Sequence, residues 1–484
     1  MAYRESLCDA LLPTPLSPHT SRSATMRFMS LFTVSIFLFS VLWVGVQAAT
    51  TRHAGTRALD LAGEQVTMGF DEEIAKKPDF SQYVDLAVLH KHALRSKGGR
   101  VVFVGDIHGM QESLQHLLKK VHFDAAHDTL VHAGDVIVKG PHSRKVLQDL
   151  MALNAIGVRG NQDQRVVEWR GWIQWVLGHK GGKAWLLKME KRVSSLKKKP
   201  TKADYKRFRK LAASTKWKIP EGWEFGSSVY RLARHLKPKE YQYLLDLPTA
   251  LHIPSLHTIV VHAGLLPMDP RHKMLSKHQP LSHPPKSKHN QSEFALRTKQ
   301  EQALLSDIPQ NTDPWAKLNM RSVLDNGEIS REKDGTPWAN LWNKVLDLCD
   351  GFDAKPELSP SEPIFEASSG QSWTGWIENE FKGVHSLPCK GITVVYGHSA
   401  SRGLDLKKWS KGLDTGCIYN LRLTALVLGK RWKPGFTANT TDADELDYLM
   451  EADDELEGEM VTYGHKGHAK VVQVRCAGGS SRLN

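Results

Sequence analysis

The residues of this chain whose types could do chemistry sit at the ends of short apolar runs. In Gly105-Asp106-Ile107-His108-Gly109 a carboxylate and an imidazole stand two residues apart on a turn. From there both can ligate one divalent cation, and the glycines let backbone and ligand approach closely. Asp135, in Gly134-Asp135, follows the next apolar run and is a candidate bridge between two cations. Asn161, His262 and His398 supply an amide oxygen and two imidazole nitrogens for the second. Two cations held by such a set generate a nucleophilic water or hydroxide at neutral pH and clamp the oxygens of a phosphoryl group during in-line attack. Singly, each of these residues reads as readily as a turn former, a cap or a structural histidine. Five coincidences at successive run ends favour the catalytic reading, with Asp106, His108, Asp135 and Asn161 as candidate catalytic residues and all six as candidate metal ligands.

The elements that must position them are strands. Arg100 to Val104, Thr129 to Ala133, Ala155 to Val158, Thr258 to Val261 and Thr393 to Tyr396 are short β-branched runs, each ending in a polar, metal-capable residue. In an α/β fold the ends of neighbouring strands open on one crevice, so tips far apart in sequence can meet. Between the third and fourth runs lies a basic, tryptophan-bearing helical stretch from Trp169 to Leu245, read as an inserted cap. Its Lys197, Lys198 and Lys199 form either a solvated face or a field that guides a long polyanion. Arg271 to His289 reads as a mobile loop, and Asp442 to Glu459 as a solvated acidic helix or tail.

With Lys plus Arg at 65 against Asp plus Glu at 52, the 484-residue chain should attract an anionic partner. Its five cysteines form no CxxC pair, which argues against a zinc ribbon or a dense disulfide scaffold. A bridge between Cys349 and Cys389 is one pairing the sequence permits. Phe28 to Ala49 carries no charge and is long enough to cross a bilayer. With Arg22 and Arg27 before it, residues 1–27 are expected in the cytoplasm and everything after residue 50, starting with a polar linker at 50–97, in a lumen or outside the cell. The competing reading is a signal peptide starting at Met26 and cleaved near Val46-Gln47-Ala48. The sequons at Asn290 and Asn439 suit either reading.

The blocks GDIHG, GDVIVKGP, GNQD, VHAGL, YGH and LDTG resemble the phosphoprotein phosphatase branch of the calcineurin-like metallophosphoesterases, and within it the symmetrical diadenosine tetraphosphatases. The resemblance covers about residues 98–270 and 390–430. It implies a four-layer α/β sandwich of two mixed sheets flanked by helices, here with a basic helical insertion. The implied catalytic domain is 98–440, with insertions at about 169–245 and 271–390, followed by an acidic segment and tail at 441–484. It also implies Asp106, His108 and Asp135 on one cation, and Asp135 shared with Asn161, His262 and His398 on the other. The whole outline, with Pro337-Trp338 and the stretch from GHSASRGLDL to LDTGCIYNLRLTAL, is similar to the fungal vacuolar zinc-dependent endopolyphosphatases. That similarity implies two Zn2+ ions, internal cleavage of inorganic polyphosphate, no nucleic-acid partner, and one membrane span with the catalytic domain in the vacuole lumen. Ligand chemistry alone suits Mn2+ or Fe as well.

Two positions depart from the branch. A histidine thought to protonate the leaving oxygen is replaced by Gln162, which cannot act as an acid. That favours a leaving group that is already a stabilised anion, as in a phosphoanhydride, over a serine or tyrosine ester. The arginine that grips phosphate is replaced by Lys139, which keeps the charge and loses the bidentate fork. Arg402 and Arg321 are the candidates to complete substrate binding beside Lys139. Asp414 and Cys417 are expected to close a turn and fill the core near the site, with no chemistry assigned to Cys417. The alternatives are a symmetrical dinucleoside tetraphosphatase, a Ser/Thr protein phosphatase, and a membrane-anchored binding protein on a degenerate scaffold.

Overall fold

The structure, a computed structural model, describes residues 79–90, 94, 99–196, 198–286, 291–356, 384–430 and 453–479. The apolar run at 28–49, the sequon asparagines Asn290 and Asn439, and Lys197 lie outside the described residues. Among the described residues no helix is long and apolar enough to cross a membrane.

Alternation along a few short strands builds the layers. In β2 (Val101–Val104), Val101 and Phe103 point to one face and Val102 and Val104 to the other, as a period of two requires. Val101 and Phe103 pack with Val260 of β6 (Thr258–Val261) and Val395 of β10 (Thr393–Tyr396), forming a layer between two sheets. Val102 and Val104 pack outward against Leu114 and Leu117 of the helix Gln111–Lys120. On the opposite outer face, Ile259 and Val394 meet Trp338 and Trp342 of the helix Trp338–Leu346. The result is helix, sheet, sheet, helix, the four-layer sandwich expected.

One sheet runs β1-β5-β6-β10-β12-β11, with β1 at Val84–Val88, β5 at Pro248–Ile253, β11 at Asp405–Lys407 and β12 at Ser410–Gly412. The other runs β14-β15-β13-β2-β3-β4, with β3 at Thr129–His132, β4 at Ile156–Gly157, β13 at Arg422–Leu428, β14 at Glu459–Tyr463 and β15 at Gly467–Arg475. Both are mixed. β2 pairs parallel to β3 (Val104 opposite His132) and β6 parallel to β10 (Val260 opposite Val395), whereas β13 runs antiparallel to both β2 and β15. The parallel runs bring Asp106 and Asp135 to one end of their sheet, and His262 and His398 to one end of the other.

Four expectations are corrected. Residues 84–88 are not linker: β1 pairs with β5 at the sheet edge. The domain does not end at 440, because β14 and β15 complete the second sheet, and Asp453 is buried against Arg100 at 3.2 Å. The acidic composition of 442–459 hid this, since pairing between β13 and β15 leaves no local signal. The stretch from Arg271 is irregular yet packed over its described part. Met274 and Leu281 are buried there, and Gln279 donates through Nε2 to the carbonyls of Asp269 and His272, both at 2.9 Å. Lastly, the helices Asn161–Gly178, Gly182–Ser194, Lys202–Ala213, Ser228–His235 and Pro238–Asp246 are not a separate cap. Trp169, Trp172, Leu186, Phe208 and Tyr230 belong to the same apolar cluster as Val102 and Val104, and Trp169 meets Trp172 edge-on at 5.4 Å between ring centres.

Among the described residues there are two disulfides. Cys349–Cys389 is the pairing the sequence permitted, and Cys417–Cys476 ties the turn after Asp414 to the end of β15.

Candidate active site and metal centre

The five strand ends do meet, at a seam between the two sheets. Gly105 leads out of β2 into Asp106 and His108, and Gly134 leads out of β3 into Asp135. His108, Asp135, Val138, Lys139 and His398 all have positive φ, between 48° and 71°. Side-chain-bearing residues avoid this region, and such strain concentrates at functional sites. The loops are pressed together so closely that several glycines admit no side chain. A Cβ on Gly160 would lie 2.2 Å from Asp135 Oδ1, and one on Gly397 2.0 Å from Asp106 Oδ1. Beneath the His262 loop, wholly buried Trp338 lies against Gly264, where a Cβ would meet the indole at 2.5 Å, and stands edge-on to Tyr396.

The six predicted ligands converge. His108 Nε2 is 3.8 Å from Asp106 Oδ2 and 3.5 Å from Asp135 Oδ2. His262 Nε2 is 3.5 Å from Asp135 Oδ1 and 3.2 Å from His398 Nδ1. One donor atom each from Asp106, Asp135 and His262 fall within 4.8 Å of one another, a grouping that can hold a metal ion. Asn161 joins them on the cavity wall, its Nδ2 donating to Asn319 Oδ1 at 3.3 Å while Gln162 Nε2 donates to its Oδ1 at 3.2 Å. Asp135 Oδ1 accepts the Gln162 backbone N–H at 2.8 Å, and Asp106 Oδ1 accepts that of His398 at 3.0 Å.

The donor set fits cations. His262 Nδ1 faces the Ala133 carbonyl at 2.8 Å, which makes it the N–H donor and leaves the Nε2 lone pair pointing inward. His398 Nε2 faces the Asn319 carbonyl at 3.2 Å, so its Nδ1 lone pair points inward as well. Two lone pairs 3.2 Å apart repel unless positive charge lies beside them. Burial holds the His108, His262 and His398 imidazoles in the neutral form a ligand needs, with His262 pushed down to about 4. Burial drives the Asp106 carboxyl well above its usual range, helped by Asp414 and Asp135, and burial raises Asp135 and Asp414 too. Crowded carboxylates of this kind ionise together only when a cation compensates them.

All of the six but His262 line a cavity of about 180 Å3, with Lys139, Gln162, Arg321, Glu332, Lys333, Asp414 and Tyr419. Lys139 Nζ stands 3.1 Å from His108 Nε2. Arg321 reaches the cavity with Nη1 donating to the Arg331 carbonyl at 2.7 Å and Nη2 to that of His398 at 3.3 Å. Arg402 is not on the wall; its Nη2 donates to the Arg321 carbonyl at 2.6 Å. Sequence reasoning missed Glu332, Lys333 and Tyr419, and took Asp414 as a turn residue only. Its Oδ1 does accept the Gly416 N–H at 3.1 Å, but the carboxylate also faces the centre. Asp163, unmarked in the sequence reading, is wholly buried and accepts the N–H groups of Gly160, Val136 and Ile137 at 2.9, 3.3 and 3.2 Å, locking two ligand loops together.

Residues 99–324 match the calcineurin-like phosphoesterase family. Among curated proteins, the chain is similar to the symmetrical bis(5'-nucleosyl)-tetraphosphatase of Buchnera aphidicola subsp. Baizongia pistaciae, 46% identical over 67 residues that cover 13% of this chain and 24% of that one. It is also similar to serine/threonine-protein phosphatase 1 of Salmonella typhimurium, 35% identical over 97 residues, 20% of this chain and 45% of that one. The chain thus spans about a quarter to a half of the length of these relatives. Among solved structures, one described as a candidate diadenosine tetraphosphatase is 24% identical, with 71% of this chain and 94% of that one covered at a TM-score of 0.35. A protein serine/threonine phosphatase from Saccharomyces cerevisiae is 13% identical, with 74% and 82% covered at 0.27. From the strand-end ligands and the family match together, the chain carries a calcineurin-like metallophosphoesterase domain.

Proposed function

We propose that this chain is a metal-dependent phosphohydrolase that cleaves phosphoanhydride bonds within inorganic polyphosphate. The observation that carries the substrate class is Gln162. It stands on the cavity wall with its side chain engaged by Asn161 and by Arg165, whose Nη1 donates to Oε1 at 3.3 Å. An amide there has no ionisable proton to give a leaving alkoxide, but a polyphosphate leaving group is already a stabilised anion. Lys139, Arg321 and Lys333 meet the anionic substrate on the same wall, with Arg402 holding the Arg321 backbone. Asp106, His108, Asp135, Asn161, His262 and His398 would hold two cations, Zn2+ by the resemblance. Bound cations of this kind neutralise phosphoryl oxygens and lower the pKa of a coordinated water.

We further propose that the catalytic domain faces a vacuole lumen, held by the apolar run at 28–49. The two disulfides support an oxidising compartment. The second reading, a symmetrical dinucleoside tetraphosphatase, is favoured by the 46% identical curated relative and shares the phosphoanhydride chemistry.

The test is hydrolysis of long-chain polyphosphate by the full chain with Zn2+ or Mn2+, beside Asp135→Asn, with products resolved by length. Intermediate lengths that vanish in the variant are the expected result. Orthophosphate alone would mean end-on cleavage. Inactivity on polyphosphate with turnover of diadenosine tetraphosphate would hand the function to the second reading.

A further inference from the structure

The charge of this protein is concentrated in one place. Residues 180–218 hold fifteen Lys and Arg against two acids, Glu190 and Asp204, an excess equal to the chain's whole net charge of +13. The rest of the chain is therefore neutral on balance. Thirteen of those cations are exposed, on and around the helices Gly182–Ser194 and Lys202–Ala213.

The two acids are already engaged. Glu190 Oε1 accepts the Tyr230 hydroxyl at 2.6 Å and Arg234 Nε at 3.0 Å, while Asp204 caps its own helix by accepting Thr201 N and Oγ1 at 2.8 and 2.7 Å. Among the described residues, none of the exposed cations in this stretch makes an ion pair with a carboxylate. So many unpaired like charges repel one another and disfavour the compact state, a cost that a bound polyanion reverses.

One helix leads from the cavity to this basic surface. The helix Asn161–Gly178 starts on the cavity wall with Asn161 and Gln162 and ends two residues before Lys180. Its 18 residues rise about 27 Å at about 1.5 Å each. Exposed Arg165, one turn along, lies on the way.

We propose that the two basic helices are a non-catalytic anchoring site for the same long polyphosphate chain whose distant segment occupies the cavity. This rests on the polyphosphate reading above. The site recognises the repeating negative charge of an extended phosphate polymer, and a chain too short to span the helix gains nothing from it.

The experiment compares the full chain with a variant carrying Lys183→Gln, Lys191→Gln, Lys198→Gln, Lys199→Gln, Lys202→Gln and Lys206→Gln, all six exposed. Exposed ion pairs each contribute a few-fold, so the KM for long polyphosphate should rise roughly tenfold or more and lose much of its salt dependence, with kcat unchanged. The KM for tripolyphosphate should not move. Equal KM values for long chains in the two proteins would overturn the proposal, as would an equal rise for long and short chains. Binding of long polyphosphate in the Asp135→Asn background, with and without the six changes, separates this proposal from the function. If polyphosphate is not a substrate but binding still falls with the six changes, the anchoring surface stands as a polyanion site and the catalytic reading fails. If cleavage is seen and binding does not fall, the anchoring site is refuted alone.

Discussion

Replacing Gly160 with alanine tests whether the metal centre is held by backbone contact. Gly160 has φ −91° and ψ 168°, which alanine adopts without strain, so the change acts through space alone. The new methyl carbon would lie 2.0 Å from Asp135 N and 2.2 Å from Asp135 Oδ1. Non-bonded carbon and oxygen atoms do not approach so closely, and Asp135 or the turn at 160 must give way by about 1 Å. A misplacement of about 1 Å at a reacting centre costs on the order of 100-fold in rate. Gly160→Ala should therefore lower kcat on long-chain polyphosphate by about two orders of magnitude and weaken cation binding measured by calorimetry. Gly397→Ala, directed at Asp106 Oδ1, should act in the same way. Gly178→Ala is the control: nothing lies within 4 Å of its added carbon, so kcat and cation affinity should hold. A Gly160→Ala protein with wild-type kcat and cation affinity would refute the reasoning, because Asp135 would then not be fixed by the loop pressed against it.

Two further predictions concern stability. Burial pushes the Lys411 ammonium down to about 8, well below the usual lysine range. Below that pH the folded protein bears the cost of a buried charge, and between about 8 and the unfolded value near 10.5 the folded state sheds its proton first, so stability rises with pH. Lys411→Met should accordingly be more stable than wild type at pH 7 by about 1–3 kcal/mol, with the gap closing by pH 10.5 in denaturant titrations. A gap that widens with pH would contradict the burial argument. The Cys417–Cys476 bridge closes a loop of 59 residues, worth about 4 kcal/mol by loop-closure entropy. The double change Cys417→Ser and Cys476→Ser should lower the melting temperature by several degrees, and an unchanged melt would show that the turn is held by packing alone.

The catalytic loops were legible because each couples a strand signal to a metal-capable residue, and that coupling is local. Asp106, Asp135 and His262 could be read without knowing which strands pair. Asp414 follows β12 in the same way, but three residues of Ser-Lys-Gly give no apolar run to mark a strand. Glu332 and Lys333 lie on the turn between Ile329–Ser330 and Thr336–Pro337, two strands of a small three-stranded sheet inside an insertion, where only tertiary placement brings them to the cavity. The distribution of the five strand ends over two sheets was not legible either. It depends on β13 pairing with β2 and β15, contacts between residues more than 300 positions apart in the first case. The C-terminal strands were hidden for the same reason, their acidic approach being the stronger compositional signal.

A seam between two sheets also sets the order in which the centre can exist during synthesis. Asp106, Asp135, Asn161 and His262 emerge from the ribosome first, yet β10, which sits between β6 and β12, and β13, which sits between β2 and β15, come more than a hundred residues later. Until they arrive each sheet lacks an inner strand, and His398 and Asp414 have not been made. The nascent chain thus cannot complete its cation cradle, and the centre stays without chemistry, until the strands at 393–428 have been made and have entered their sheets.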